Sequence, residues 1–213
     1  MSKIIYGFQH LNGNQLCSID IETTGLIPGY HEIWQIAMIP LDSSLNPRQD
    51  VIPFYIEMKP NFPEHIDQAA LRLNREPFLR ACQTGIDPDK AKDLFEEWTN
   101  RLDLPYDKYG NGRRKKIIPL GHNYANFDQF FIRLWLEELY EEHFFGQIRD
   151  TMIVAGYLND YAAMHTEPCP FPKYSLRWLT THLQVVLDDH HDALQDARAT
   201  AEVYKKLLLR GLL

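Results

Sequence analysis

The chain has little that a disulfide framework could use. It carries three cysteines, Cys17, Cys82 and Cys169, none of them in a CxxC pair. An odd count without paired spacing excludes such a framework, and the nine histidines show no Cys/His spacing suited to a structural zinc. No secretory leader is expected either. Met1-Ser2-Lys3-Ile4-Ile5-Tyr6-Gly7 lacks a basic region followed by an apolar run and a small-residue cleavage site. No uninterrupted apolar stretch approaches the roughly 20 residues that span a bilayer. Reduced thiols in a soluble, cytoplasmic protein without a membrane partner are the expectation. Positive charge is short as well: 22 Lys and Arg stand against 29 Asp and Glu, a formal net charge of −7. That excludes broad, charge-driven coating of nucleic acid or anionic lipid. It leaves room for a protein that grips one strand end, provided cations neutralise an acidic centre. Internal repeats, low-complexity tracts and linkers are absent, so one domain spanning residues 1–213 is expected.

The composition, 45% hydrophobic and 12% aromatic, is ample for a folded core. Residues 15–21, 33–40 and 51–58 read as three strands, and the polar connection Leu41–Gln49 makes them an antiparallel meander. Residues 64–82 have helical composition interrupted by Pro77. Ala91–Leu102 carries Leu94, Phe95, Trp98 and Leu102 at helical spacing, a core stripe. Leu104–Lys116 reads as a loop and Ile117–Gly121 as a short buried strand. Phe127–Tyr140 repeats apolar residues at 127, 130, 131, 134 and 139, an amphipathic helix. A short strand over Gln147–Thr151, a helix over Thr151–Leu158, a loop over Asn159–Lys173, a helix over 174–183 and a last helix over Asp192–Leu209 complete the reading. Early strands followed by alternating helices and strands indicate a mixed α/β sheet covered by helices.

Asp20-Ile21-Glu22-Thr23-Thr24-Gly25 is the most informative stretch. Side chains two apart on a strand share a face, so Asp20 and Glu22 project together. Two neighbouring anions repel, and hard divalent cations relieve that conflict. A solvated edge strand is the alternative, disfavoured by the apolar flanks. Gly121-His122-Asn123-Tyr124-Ala125-Asn126-Phe127-Asp128 links a strand to a helix, a junction where α/β proteins place ligands. Asp128 in the first helical turn suits helix-dipole stabilisation as well as a site. In His190-His191-Asp192-Ala193-Leu194-Gln195-Asp196-Ala197, Asp192 fits a helix N-cap with Gln195 as its partner. His191 lies just before the helix and Asp196 just over one turn inside. Ala193, Ala197 and Ala201 form a small-residue face that can bring Asp196 against the first strand. Taken singly, His191 is a loop histidine; His182 and His190 read as structural.

Together these segments resemble the DEDD superfamily of 3′→5′ exonucleases in its histidine branch (DEDDh, DnaQ-like). Asp20-x-Glu22 resembles the first motif, His122-Asn123…Phe127-Asp128 the second and His191-x-Ala193-x-x-Asp196 the third, in the family order. Three residues separate Asn123 from Phe127 where bacterial proofreading subunits usually have two, which is closer to autonomous DNA-trimming exonucleases. The resemblance implies an RNase H-like fold, a five-stranded mixed sheet with helices on both sides. It implies catalytic roles for Asp20, Glu22, Asp128, His191 and Asp196. Asp20, Glu22 and Asp196 would hold one Mg²⁺, and Asp20 with Asp128 a second, with Mn²⁺ as a substitute. Two such ions clamp the attacking and leaving oxygens of an in-line displacement. His191, with an ordinary histidine pKa of about 6.5, suits a general base. Thr23, Thr24, Leu26, His122, Asn123 and Phe127 would meet the terminal nucleotide, Leu26 as an apolar wedge; core packing is the alternative for Phe127.

The expected reaction is removal of nucleoside 5′-monophosphates from single-stranded DNA 3′ ends, frayed duplex ends included. DNA is favoured over RNA. RNA trimming, a proofreading-type module docked on a polymerase or repair complex, and a binding module without activity are the alternatives. The intact acid set argues against the last. Several members of the family pair as homodimers, and nothing in the sequence marks a self-complementary surface. For Arg113-Arg114-Lys115-Lys116 a solvated loop is the default reading and phosphate guidance the alternative.

Overall fold

β1 (Gln15–Thr23) is the central strand of the sheet and is buried along most of its length because it is covered on both faces. It pairs antiparallel with β2 (Ile33–Pro40), which pairs antiparallel with β3 (Phe54–Glu57). On its other side β1 runs parallel to β4 (Ile117–Gly121), which runs parallel to β5 (Arg149–Asp150). The result is a five-stranded mixed sheet of order β3-β2-β1-β4-β5. The computed structural model describes residues 13–106, 112, 114–187 and 191–211; the expectations on Met1–Gly7, Arg113 and His190 lie outside them.

Strand parity sends β1 side chains to two cores. Cys17, Ile19 and Ile21 pack with Phe95, Trp98, Phe131 and Ile132 from α2 (Pro88–Arg101) and α3 (Asp128–Leu136). Leu16 packs with Ala193, Ala197 and Ala201 of α7 (Ala193–Arg210), together with Ala37 and Ile39 of β2. The alanine face allows the close approach that the sequence predicts: Ser18 Oγ donates to the Ala197 carbonyl at 2.7 Å. Asp20 lies opposite Ala37 in the ladder, so Asp20 and Glu22 are on the α7 side. Helices thus cover both faces of the sheet, the arrangement of an RNase H-like fold.

Several boundaries differ from the sequence reading. The helix expected over 64–82 is α1 (Gln68–Thr84), preceded by a single 3₁₀ turn, and its break is at Asn74 (φ −132°, ψ 35°) rather than at Pro77. Proline lacks the N–H that would bond one turn back, so the distortion falls on the preceding turn. The helix expected over Phe127–Tyr140 is two, α3 and α4 (Glu138–His143), divided by Glu137 at φ 54°. Phe130 and Leu134, placed in its apolar stripe, are half exposed, whereas Phe131, Ile132 and Leu136 are buried. α5 (Thr151–Met164) continues six residues past the expected end at Leu158. α6 (Leu176–Leu183) is close to expectation. Among the described residues no helix is long and apolar enough to cross a membrane.

Arg114 donates to Asn100, and Lys116 Nζ to the Glu141 carbonyl. Both sit at the start of β4, the end of that strand opposite Gly121. The described part of the basic cluster therefore holds the far end of the sheet.

Candidate active site

The sheet brings the three sequence segments to one edge. β1 carries Asp20 and Glu22 near its C-terminal end, and the β4 end at Gly121 lies beside it in parallel. The chain then makes a 3₁₀ turn, Tyr124–Asn126, and enters α3 at Asp128. The turn opens with Asn123 in the left-handed region, φ 67°, which asparagine tolerates better than most residues. Asp128 is buried, and its carboxyl reaches the Ile21 backbone, between the two β1 acids. From the other face of the sheet α7 brings Asp196, also buried. His191 precedes α7 at φ 70°, and its backbone N–H donates to Asp196 Oδ2 at 3.2 Å. Glu22, His191 and Asp196 each offer one ligand atom, and those atoms all lie within 4.8 Å of one another.

The electrostatics follow from crowding. Burial pushes the Asp20 carboxyl well above the ordinary carboxylate range, and Asp128, Asp196, Glu22 and Asp192 push it further. Burial, then Asp196, Asp192 and Asp128, lift Glu22 to about 8, against one lowering contact from Asn74. Burial lifts Asp128 to about 7, opposed by its own backbone hydrogen bond and aided by Asp150. Acids that resist ionising together are an all-oxygen donor set for hard divalent cations.

The start of α7 is held by residues that the motifs do not include. Asp192 caps the helix by accepting from the Gln195 N–H at 3.1 Å. Its other oxygen accepts from Tyr55 Oη at 3.0 Å and Gln35 Nε2 at 3.4 Å. Gln35 Oε1 accepts from the Ala193 N–H at 2.8 Å, and Gln35 Nε2 also donates to Tyr55 Oη at 2.8 Å. β2 and β3 thereby fix the turn that presents His191. Part of this carries a sequence signal: Gln35 is a polar residue in an otherwise apolar strand and needs partners once buried, though the sequence does not say which. Asn74, at the α1 break, donates to Glu22 Oε2 at 2.8 Å and orients that carboxylate.

The expected nucleotide contacts divide into loop supports and exposed groups. Thr23 Oγ1 donates to the Gly25 carbonyl at 2.7 Å. Thr24 is fully buried; its N–H donates to the Glu32 carbonyl, its Oγ1 accepts from the Glu32 N–H and its carbonyl accepts from the Asp67 N–H. Both threonines shape the β1–β2 loop. Gly25 is required there for close approach: a Cβ would sit 2.4 Å from His31 Nε2 and 2.6 Å from Asp67 Oδ2. The loop then presents Leu26, which is 74% exposed. Phe127 is part-buried and lines a cavity with Leu26, Pro28 and Phe130. His122 Nδ1 is 2.7 Å from Thr151 Oγ1, and burial lowers its pKa. The Asn123 N–H donates to Asp150 Oδ1 at 3.2 Å, and its side-chain oxygen accepts from Asn126.

No family model matches the chain. It is 27% identical over 208 residues to a DNA polymerase III PolC-type from Listeria welshimeri, a match covering 96% of this chain and 12% of that protein. The chain therefore spans about an eighth of the length of the PolC-type relatives. It is 26% identical over 196 residues to the 3′-5′ DNA exonuclease Cap18 of Escherichia coli, covering 88% of each. Among solved structures, E. coli exonuclease I in complex with a dT13 oligonucleotide superposes with a TM-score of 0.70 at 20% identity, over 93% of this chain and 42% of that one. Cell-death related nuclease 4 superposes with a TM-score of 0.69 at 18% identity, over 96% of this chain and 67% of that one.

Proposed function

We infer that this chain is a DEDDh-type 3′→5′ exonuclease, since its motifs, its RNase H-like fold and its relatives concur, and we propose that it removes nucleotides from the 3′ ends of single-stranded DNA. The observation that carries the reading is the approach of Glu22, His191 and Asp196 to one another, with Asp128 buried and Asp20 part-buried at the same strand end. DNA is preferred over RNA on the strength of the names its relatives carry, and the described residues act as a single domain.

The donor set suits two divalent cations, Mg²⁺ with Mn²⁺ as a substitute. Asp20, Glu22 and Asp196 would hold one, and Asp20 with Asp128 the other. Bound there, such ions offset the carboxylate charge and stabilise the charge that develops on the phosphoryl oxygens. Asn74 holds Glu22 in a fixed orientation for that task. His191 is exposed, so its ring faces incoming solvent and can take the proton from the attacking water as a general base. Leu26 wedges against the terminal base, and Phe127 lines the same trench. A terminus must be unpaired to enter, so duplex ends react only when frayed. The product is a nucleoside 5′-monophosphate.

The match to one segment of a PolC-type polymerase favours a second reading, an editing module held by a larger assembly. Both readings are tested by a product ladder from 5′-labelled single-stranded DNA with Mg²⁺, Mn²⁺ or chelator. The expected result is metal-dependent shortening from the 3′ end by the isolated chain. Asp20→Ala should abolish it while circular dichroism shows an unchanged fold. Full activity in that variant would overturn the assignment, and activity only in the presence of a polymerase would favour the second reading.

A further inference from the structure

Two cavities adjoin at Leu134, on the side of α3 that faces Leu26. Leu134 of α3 lines the cavity that holds Leu26, Phe127 and Phe130, and it also lines a second cavity of about 350 Å³. The second cavity is lined by Tyr30, Phe62, His65 and Trp135, and also by Lys92 and the carboxylates Glu32 and Asp89. Three of these rings form a ladder. Tyr30 stacks on His65 with centroids 4.3 Å apart and planes 11° from parallel, and Phe62 stacks on His65 at 5.2 Å and 15°. Tyr30, Phe62, Phe130 and Leu134 are each about half exposed, so a run of large apolar groups faces solvent from the wedge to the ladder.

Exposed apolar patches of this kind mark binding surfaces. Flat rings held near-parallel present edges and faces suited to nucleobases, and base–aromatic stacking is indifferent to sequence. The cations beside the path are already engaged: Lys92 Nζ bonds Glu137 Oε2 at 3.0 Å, and Arg133 pairs with Glu141. A strand lying here would be held mainly through its bases. We propose that the Tyr30–His65–Phe62 ladder is a stacking platform for the bases 5′ to the reacting nucleotide of the substrate strand, reached through the trench that Leu134 shares. This rests on the nuclease reading for its direction along the strand. A protein partner on the same patch is the competing occupant, and the Leu134 boundary shared with the cavity of Leu26 and Phe127 favours the strand.

The test separates binding from turnover. Fluorescence anisotropy in chelator, where no strand is cut, follows binding of labelled oligodeoxyadenylates: a dinucleotide, a tetranucleotide and an octanucleotide. Affinity should rise with length in the wild type, with a shallow dependence on salt. Tyr30→Ala and Phe62→Ala should each weaken octanucleotide binding by roughly five- to 150-fold, the range of one lost stacking contact. Dinucleotide binding should be unchanged, and Tyr30→Phe, which keeps the ring, should bind as wild type. Under Mg²⁺ the same loss should appear in KM for the octanucleotide with kcat unchanged. Alanine variants that track the wild type at every length would overturn the platform and leave the patch to a protein partner. Absence of any product from the wild type under Mg²⁺ would overturn the nuclease reading instead, while the anisotropy result would still decide whether the ladder binds bases.

Discussion

Glu22→Gln should make the metal-depleted protein more stable above neutral pH, although it removes a proposed metal ligand. Burial and three neighbouring acids raise the Glu22 carboxyl from its ordinary 4.5 to about 8. Below 4.5 the folded and unfolded chains both carry the proton, and the group is neutral in its effect. Between 4.5 and about 8 the folded chain holds a proton that the unfolded chain has released, so each rise in pH favours unfolding. Above about 8 the whole cost is present. At about 1.36 kcal/mol per tenfold, the limit is about 5 kcal/mol. Water entry and side-chain movement relieve part of it, leaving about 2 kcal/mol as the expected gain for the variant. Glutamine keeps an oxygen to accept from Asn74 and differs little in volume, so the charge is the main change. For a chain of this size the gain corresponds to about 4–8 °C in melting temperature. Thermal melts in chelator near pH 8 and near pH 5 measure it, with the gain shrinking toward zero at the lower pH. Saturating Mg²⁺ should then stabilise the wild type more than the variant, because a ligand that binds only the folded state adds to its stability. A variant no more stable than the wild type in chelator near pH 8 would refute the claim that burial and the neighbouring acids together penalise the ionised Glu22 in the fold.

His191→Ala should lower turnover by about 10²–10⁴-fold while metal-induced thermal stabilisation is retained. Turnover close to that of the wild type would assign the base elsewhere. Tyr55→Phe removes the hydroxyl that donates to Asp192 and should lower kcat about fivefold with KM unchanged, because the His191 turn loses one of its supports; a change confined to KM would contradict a positioning role. Gly25→Ala should cost about 1–3 kcal/mol in urea unfolding, since the added carbon meets the buried His31 ring. An unchanged midpoint would show that the loop yields at no cost.

What the sequence revealed and what it hid follow the range of the forces involved. Strand parity is local, so the shared face of Asp20 and Glu22 was legible from two positions. The alanine spacing of α7 was legible too, because only small side chains allow the approach seen between Ala197 and Ser18. That Asp128 reaches Ile21 depends on β4 lying next to β1, a pairing of strands about a hundred residues apart that no local pattern encodes. The Gln35–Tyr55–Asp192 support is of the same kind. Three polar groups from three elements satisfy one another only after the sheet has assembled.

The misplaced residues of α3 point toward function. Helical periodicity assigned Phe130 and Leu134 to the core because they extend the stripe containing Phe131. The helix is apolar over more of its circumference than the sheet can cover, and the surplus faces solvent beside Leu26. A chain with a net charge of −7 cannot gather a polyanionic strand by general attraction. On the proposed function, phosphate would be attracted through cations held at one acidic centre, and the remainder of the strand would be held by its uncharged parts. The surplus apolar face of α3 and the ring ladder beyond it suit such a division of labour, and they line two cavities that share Leu134, the first of which also takes in Leu26 and Phe127.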